Sequence, residues 1–352
     1  MTTGMVLGKF LPPHAGHAYL VNFAKRFADR MTVVVGTLER EEIPGELRYQ
    51  WMRALFESPS VEVVHLDEEL PQDPSEHPEF WKLWREALRP LVPLDLDYVF
   101  ASEVYGWKLA EVLGATFVPV DIDRGVVPVS GTKIRNDPWA HWRYLPENVR
   151  RHFLRRVCVF GPESTGKSTL ARQLADHFHT TFVPEYARTL IESQQGDIHA
   201  CDMQKIARGQ VASEEAIASH ADRLLICDTD PLLTTIWSDW LFGTCDEVVT
   251  EIARNQDYDL YLLTDVDVPW VADQVRYAPN DREGFLYRCE SALRREQRPF
   301  VKLSGDWDRR MQTAVNAVEQ LMATPVTASG PGRTAGFARA ARRSSTAAST
   351  SK

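Results

Sequence analysis

No apolar run in this 352-residue sequence approaches the roughly 20 residues that a membrane-spanning helix needs. The amino-terminal residues lead straight into a strand pattern, without the charged segment, apolar core and cleavage site of a secretory leader. Both absences lead to the expectation of a cytoplasmic protein with no membrane partner. Cysteine is scarce: Cys158, Cys201, Cys227, Cys245 and Cys289 are odd in number, widely spaced and in no pair at metal-ligand spacing. They are expected to be reduced and mostly buried, since Cys158 and Cys227 lie inside apolar strand-like runs. Positive charge is in deficit as well, with 40 Lys and Arg against 49 Asp and Glu and a net charge of −9. That balance argues against nucleic acid as a partner, and any anionic substrate must be met by particular lysines and arginines. There is no guanine-recognising Asn-Lys-x-Asp run and no internal repeat.

What is present is an alternation of short apolar runs with amphipathic stretches, the pattern of α/β domains built on parallel sheets wound by helices. In the first half the runs are Met31–Val35, Val61–Leu66, Tyr98–Ala101 and Thr116–Val120. A helical segment is expected over Pro146–Arg156. A second series follows at Val157–Phe160, Thr181–Pro184, Leu224–Cys227, Asp259–Leu263 and Phe300–Leu303. The expected organisation is two doubly wound domains, residues 1–150 and 151–323. From 324 to 352 the composition turns to Ala, Ser, Thr, Gly, Pro and Arg with five basic residues and no acid, which reads as a disordered tail. Subtracting these five charges from −9 leaves −14 on the body.

Each half carries one phosphate-handling loop between an apolar run and an amphipathic one, where helix N-terminal N–H groups face an anion. In the first, Gly8-Lys9-Phe10 leads to His14-Ala15-Gly16-His17, with two imidazoles three residues apart at a predicted helix start. A second element, Ser130-Gly131-Thr132-Lys133-Ile134-Arg135, offers hydroxyls, backbone N–H groups and a guanidinium that together suit nucleotide phosphates. The His-x-Gly-His and Ser-x-Thr-x-x-Arg loops resemble those of the nucleotidylyltransferase superfamily, and within it the nicotinamide mononucleotide (NMN) adenylyltransferases. The resemblance implies a Rossmann-like domain in which Gly8, Lys9, Phe10, His14, His17, Ser130, Thr132 and Arg135 hold ATP. It further implies that Arg48 holds the mononucleotide phosphate and that Trp81 and Trp84 stack on its pyridine ring.

The second loop, Gly161-Pro162-Glu163-Ser164-Thr165-Gly166-Lys167-Ser168, fits G-x-x-x-x-G-K-[ST] between an apolar strand and a helix, and Thr169 follows it. Its backbone N–H groups are expected to wrap a β-phosphate, with Lys167 on the β/γ-oxygens and Ser168 on Mg²⁺. Acids cluster at the predicted strand ends, as Glu185-Tyr186-Ala187-Arg188 and Asp228-Thr229-Asp230. Such carboxylates converge on a nucleotide crevice, where one orients the metal and another accepts a hydroxyl proton. A lid is expected from Pro269-Trp270-Val271-Ala272-Asp273, with Arg276 and Arg282 closing over the phosphoryl group.

In combination these segments resemble the ribosylnicotinamide kinase domain of the bifunctional NadR family, and the domain order matches. The resemblance implies that Glu185, Tyr186 and Arg188 lie near a riboside and that Asp228 and Asp230 lie near the metal and the 5′-hydroxyl. The implied activity is NAD salvage: nicotinamide riboside and ATP give NMN, then NMN and a second ATP give NAD and pyrophosphate, with Mg²⁺ as cofactor. Two departures are expected to matter. No helix-turn-helix precedes the first strand, and Gln274 stands where the lid pattern has Gly. Phosphate loops do not read the acceptor, so a pantetheine, flavin or sugar nucleotide, a different nucleoside, or a nucleotide-sensing regulator are the competing readings. Homo-oligomeric assembly is left open.

Overall fold

Strands covered on both faces must be apolar without interruption, and the Val-, Ile- and Leu-rich runs of this chain meet that demand. The computed structural model describes residues 1–194, 198–269 and 281–327. Contacts divide it into two units, one over Met1–Phe153 and rejoined at Val326, the other over Leu154–Pro325.

The first unit holds β1 (Thr3–Gly8), β2 (Arg30–Gly36), β3 (Val61–Leu66), β4 (Tyr98–Ala101) and β5 (Thr116–Pro119), paired in parallel in the order β3-β2-β1-β4-β5. Successive residues of one strand feed opposite layers. Val6, Val33 and Val35 pack with Leu20, Val21 and Ala24 of the helix Ala15–Phe27 on one face, whereas Met5, Val34 and Val99 pack with Leu88, Leu109 and Leu113 on the other. The order reverses between β1 and β4, and a crevice at such a switch point, beyond the strand carboxyl ends, is where open α/β sheets take ligands.

The second unit holds β6 (Arg155–Phe160), β7 (Thr181–Val183), β8 (Leu224–Asp228), β9 (Leu260–Thr264) and β10 (Phe300–Leu303), all parallel, in the order β10-β9-β6-β8-β7. Every residue of β6, β8 and β9 is buried. The fold class is thus two doubly wound parallel sheets. Cys158, Cys227 and Cys289 are buried thiols, Cys245 is half-buried and Cys201 is exposed, all unpaired. Among the described residues no helix is long and apolar enough to cross a membrane.

One expected element is shorter than its pattern. Within Pro146–Arg156 the α-helix covers only Glu147–Arg150, a 3₁₀ turn takes Arg151–Phe153, and Arg155 and Arg156 already belong to β6. Two adjacent arginines read as polar helix surface, yet both are buried, because Arg155 pairs with Asp259 at 2.7 Å and Arg156 with Glu214 at 3.1 Å and Glu215 at 2.8 Å. These partners lie 58 to 104 residues away, beyond the reach of a local pattern.

Candidate active sites

The loop after β1 runs into the helix Ala15–Phe27, and its two histidines cap that helix reciprocally. His14 Nδ1 accepts from Gly16 N at 3.1 Å and His17 N at 3.4 Å, while His17 Nδ1 accepts from His14 N at 3.3 Å. With both Nδ1 atoms accepting, the proton of each neutral ring sits on Nε2. The rings stack with centroids 3.7 Å apart. Burial, with Arg124 nearby, lowers the His14 pKa to about 4, and burial, His14 and Arg124 hold His17 well below its ordinary value. At neutral pH the pair is therefore two uncharged Nε2–H donors at a helix N-terminus.

A cavity of about 720 Å³ brings together Gly8, Lys9, Phe10, His14 and His17 with Ser130, Thr132, Arg135, Trp81 and Trp84. Trp84 Nε1 donates to Pro71 O at 2.8 Å. The two loops, 124 residues apart, are clamped by Arg135 Nη1 donating to Leu11 O at 2.6 Å. Gly131 permits that approach, since a Cβ there would fall 2.5 Å from the same Leu11 oxygen. Arg48 is not on this cavity. Its guanidinium is wholly buried and donates to Ile43 O at 3.1 Å, to Lys9 O and to Glu41, which also receives Lys9 Nζ at 3.0 Å. Arg48 braces the loop that carries Lys9.

Sequence reasoning passed over Arg124, which lines the cavity and faces both histidines. It sits at φ 52° in a turn ordered by Asp121, whose carboxylate accepts from Val126 N and Val127 N, and it pairs with Glu103 at 3.3 Å. Its proximity in sequence to Ser130 was the only available signal.

The loop after β6 has Gly161 at φ 136°, where a Cβ would lie 2.6 Å from Thr264 Oγ1. Thr165 Oγ1 bonds Pro162 O and Thr264 Oγ1, both at 2.7 Å. Lys167 is buried, its Nζ donating to Pro162 O at 2.9 Å. A cavity of about 520 Å³ joins Glu163, Ser164, Thr165, Gly166, Lys167, Ser168 and Thr169 to Glu185, Arg188, Asp228 and Asp230. Pairing of β7 with β8, Val183 opposite Cys227, is what brings Glu185 and Asp228 to the same crevice. Burial and the neighbouring Glu185 raise the Asp228 pKa to about 7, opposed by Lys167, Ser168 and Arg188. Asp228 Oδ1 is buried with no hydrogen-bond partner, an atom that lacks what a cation or a donor hydroxyl would provide.

Other expected members are engaged by the fold or stand off the cavity wall. Asp230 lines the cavity, yet both its oxygens accept from the fold, from Leu233 N at 3.0 Å and Tyr261 OH at 2.8 Å, so it caps the helix Pro231–Phe242. Burial raises its pKa to about 6. The Tyr186 ring is packed on Gly209, and Tyr186 is absent from the cavity wall. Gly161 is absent from it too, as is Arg282, which donates to Val268 O at 2.9 Å and to Ser164 O of the phosphate loop at 3.2 Å. Arg276 and most of the expected lid, like the tail beyond residue 327, lie outside the described residues. Gln210 was missed: buried on the cavity wall, it accepts from Tyr186 N at 3.0 Å. A single amide on an amphipathic helix carries no signal in the sequence.

Residues 156–310 match the family described as an AAA domain. The trifunctional NAD biosynthesis/regulator protein NadR of Escherichia coli (strain K12) is 29% identical over 346 residues, spanning 91% of this chain and 83% of that relative. The protein of the same description from Salmonella typhimurium (strain LT2) is 28% identical over 342 residues with the same shares. The chain is thus similar to NadR proteins over about nine-tenths of its length. Two solved NadR structures, one described in complex with NAD and AMP-PNP and the other with NR, match it with TM-scores of 0.73 and 0.75. They are 22% and 23% identical and cover 92% and 91% of this chain and 97% and 95% of their own. The two five-stranded parallel sheets described above are thus the NadR fold.

Proposed function

We propose that this chain is a bifunctional enzyme of NAD salvage, phosphorylating nicotinamide riboside with ATP at the second cavity and transferring the adenylyl group of a second ATP to NMN at the first. The observation that carries the reading is that each sheet ends in its own cavity of phosphate-type donors, His14, His17, Lys9 and Arg135 in one and Lys167, Ser168 and Asp228 in the other.

At the kinase cavity the riboside 5′-hydroxyl must lose its proton as it attacks the γ-phosphorus. Ser168 and the unpartnered oxygen of Asp228 fit Mg²⁺ and would hold it, leaving Glu185 to accept that proton. The ion when bound neutralises charge on the transferring phosphoryl oxygens. Lys167 leaves Pro162 O for the β/γ-oxygens. At the adenylyl cavity no base is required, because the NMN phosphate is already an anion. His14 and His17 donate from Nε2, and Lys9, Arg124 and Arg135 stabilise charge that passes to pyrophosphate.

The test is mass spectrometry of the products formed by the purified chain from nicotinamide riboside, ATP and Mg²⁺. NMN followed by NAD is expected, and absence of both refutes the reading.

A further inference from the structure

A single buried amide reaches both acid-bearing strand ends of the second unit. Gln210 lies in the helix Asp202–Ile217 with 2% of its surface exposed. Because its Oε1 accepts from Tyr186 N at 3.0 Å, its NH₂ group must point the other way, where Thr229 O and Glu214 Oε1 each lie 3.5 Å from Nε2. Glu214 is fixed in turn by Arg156 at 3.1 Å and by the Tyr258 hydroxyl at 2.6 Å. Both polar atoms of the amide are thus spent on the fold.

The two segments it holds are the ones that follow the two carboxylates, since Tyr186 comes directly after Glu185 and Thr229 directly after Asp228. The β7–β8 ladder ends at Val183 and Cys227, before either acid, so pairing of these strands does not itself fix the separation of the carboxylates. Glu185 makes no side-chain cap bond at the start of the helix Tyr186–Ser193, which leaves its carboxylate to the cavity it lines. Thr229 stands at φ 69°, a conformation that a β-branched residue keeps only where its surroundings impose it. Its N–H is taken by Val159 O at 3.0 Å, and its carbonyl faces Gln210. The neighbouring helix residue grips the first segment as well. Gly209 leaves room for the Tyr186 ring, which a Cβ there would meet at 2.1 Å. Glycine inside a helix weakens it relative to alanine, and here it permits this close approach.

We propose that Gln210 is a positioning residue for riboside phosphorylation, setting the spacing of Glu185 and Asp228 by holding the chain beside each. The assignment rests on the kinase reading above. Proton acceptor and metal-side carboxylate serve one transfer, so an error near 1 Å in their spacing appears in the rate rather than in the affinity for either substrate.

The experiment is steady-state riboside phosphorylation by the full chain, by Gln210→Met, which keeps the length of the side chain and loses the amide, by Glu185→Gln and by the double variant. In Gln210→Met the kcat falls roughly tenfold to 100-fold, while the KM values for ATP and riboside stay within about threefold of the parent. Glu185→Gln alone loses about 100-fold or more. The double variant loses no more than about threefold beyond Glu185→Gln, because no pair is left to be spaced. Should Gln210→Met not fold, Gly209→Ala carries the test: it favours the helix, keeps the amide and presses on the Tyr186 ring, and the same loss of kcat, again not multiplying with Glu185→Gln, is expected. An unchanged kcat in the variant tested, a loss confined to KM, or single losses that multiply in the double variant overturns the positioning role and leaves the kinase reading standing. A parent chain that never phosphorylates the riboside takes both down.

Discussion

Asp228 and Asp230 sit two residues apart with the same charge, and their surroundings give them different work. Asp228 is held on the cavity wall with one buried oxygen that has no hydrogen-bond partner, and between about pH 4 and pH 7 its carboxyl keeps in the fold a proton that the unfolded chain has lost. Ionising it through that window costs folding stability, because the folded state binds the extra proton. Asp228→Asn is therefore expected to raise the unfolding midpoint at pH 8 by a few degrees, a gain that shrinks as the pH falls toward 4, while riboside phosphorylation drops by roughly 100-fold. Scanning calorimetry at two pH values with a product assay checks both halves. Asp230 has its oxygens on Leu233 N and Tyr261 OH. Asp230→Asn keeps an acceptor for the cap and is expected to phosphorylate within a few-fold of the parent. Asp230→Ala loses about 1–2 kcal/mol of stability in a denaturant melt, the scale of a lost N-cap.

At the level of elements, the two loops of the first cavity work as one because the loop after β1 and the start of the helix Gly131–Asn136 are pinned through Leu11 O, Arg135 and Gly131. Gly131→Ala puts a methyl where the Leu11 oxygen lies, so the loops must separate. The expected outcome is a rise of about tenfold or more in the KM for ATP in adenylyl transfer, consistent with the sensitivity of reacting geometry to displacements near 1 Å, with riboside phosphorylation unchanged. Equal loss in both reactions would mean that the substitution acts on the whole chain. These loops were legible in the sequence because glycine, histidine and hydroxyl spacing is local. The end of the Pro146–Arg156 segment was not, since Arg155 and Arg156 become strand residues only when Asp259 and Glu214 arrive to neutralise them. Arg48 failed to show its place for a similar reason: an arginine near a phosphate loop reads as a ligand until Glu41, Ile43 and Lys9 take its donors.

For the molecule as a whole, two self-contained cavities predict separable reactions. Lys167→Met is expected to lose riboside phosphorylation by roughly 100-fold or more yet convert added NMN to NAD, and His17→Ala is expected to do the reverse. Mixing the two variants restores NAD formation from the riboside, because the intermediate made by one chain is free to diffuse to the other; chromatography of the products over time decides it. A mixture that yields NMN and no NAD would contradict the proposal. The sequence by itself determined the two parallel sheets and both phosphate loops, since strand burial and anion cradling are written in runs of adjacent residues. Which side chains line a cavity and which brace the fold was decided only by the tertiary structure: Arg48, Asp230, Tyr186 and Arg282 spend their polar groups or faces inside it, Arg124 and Gln210 are brought to the cavities, and all six depend on partners that chain folding, not sequence proximity, supplies.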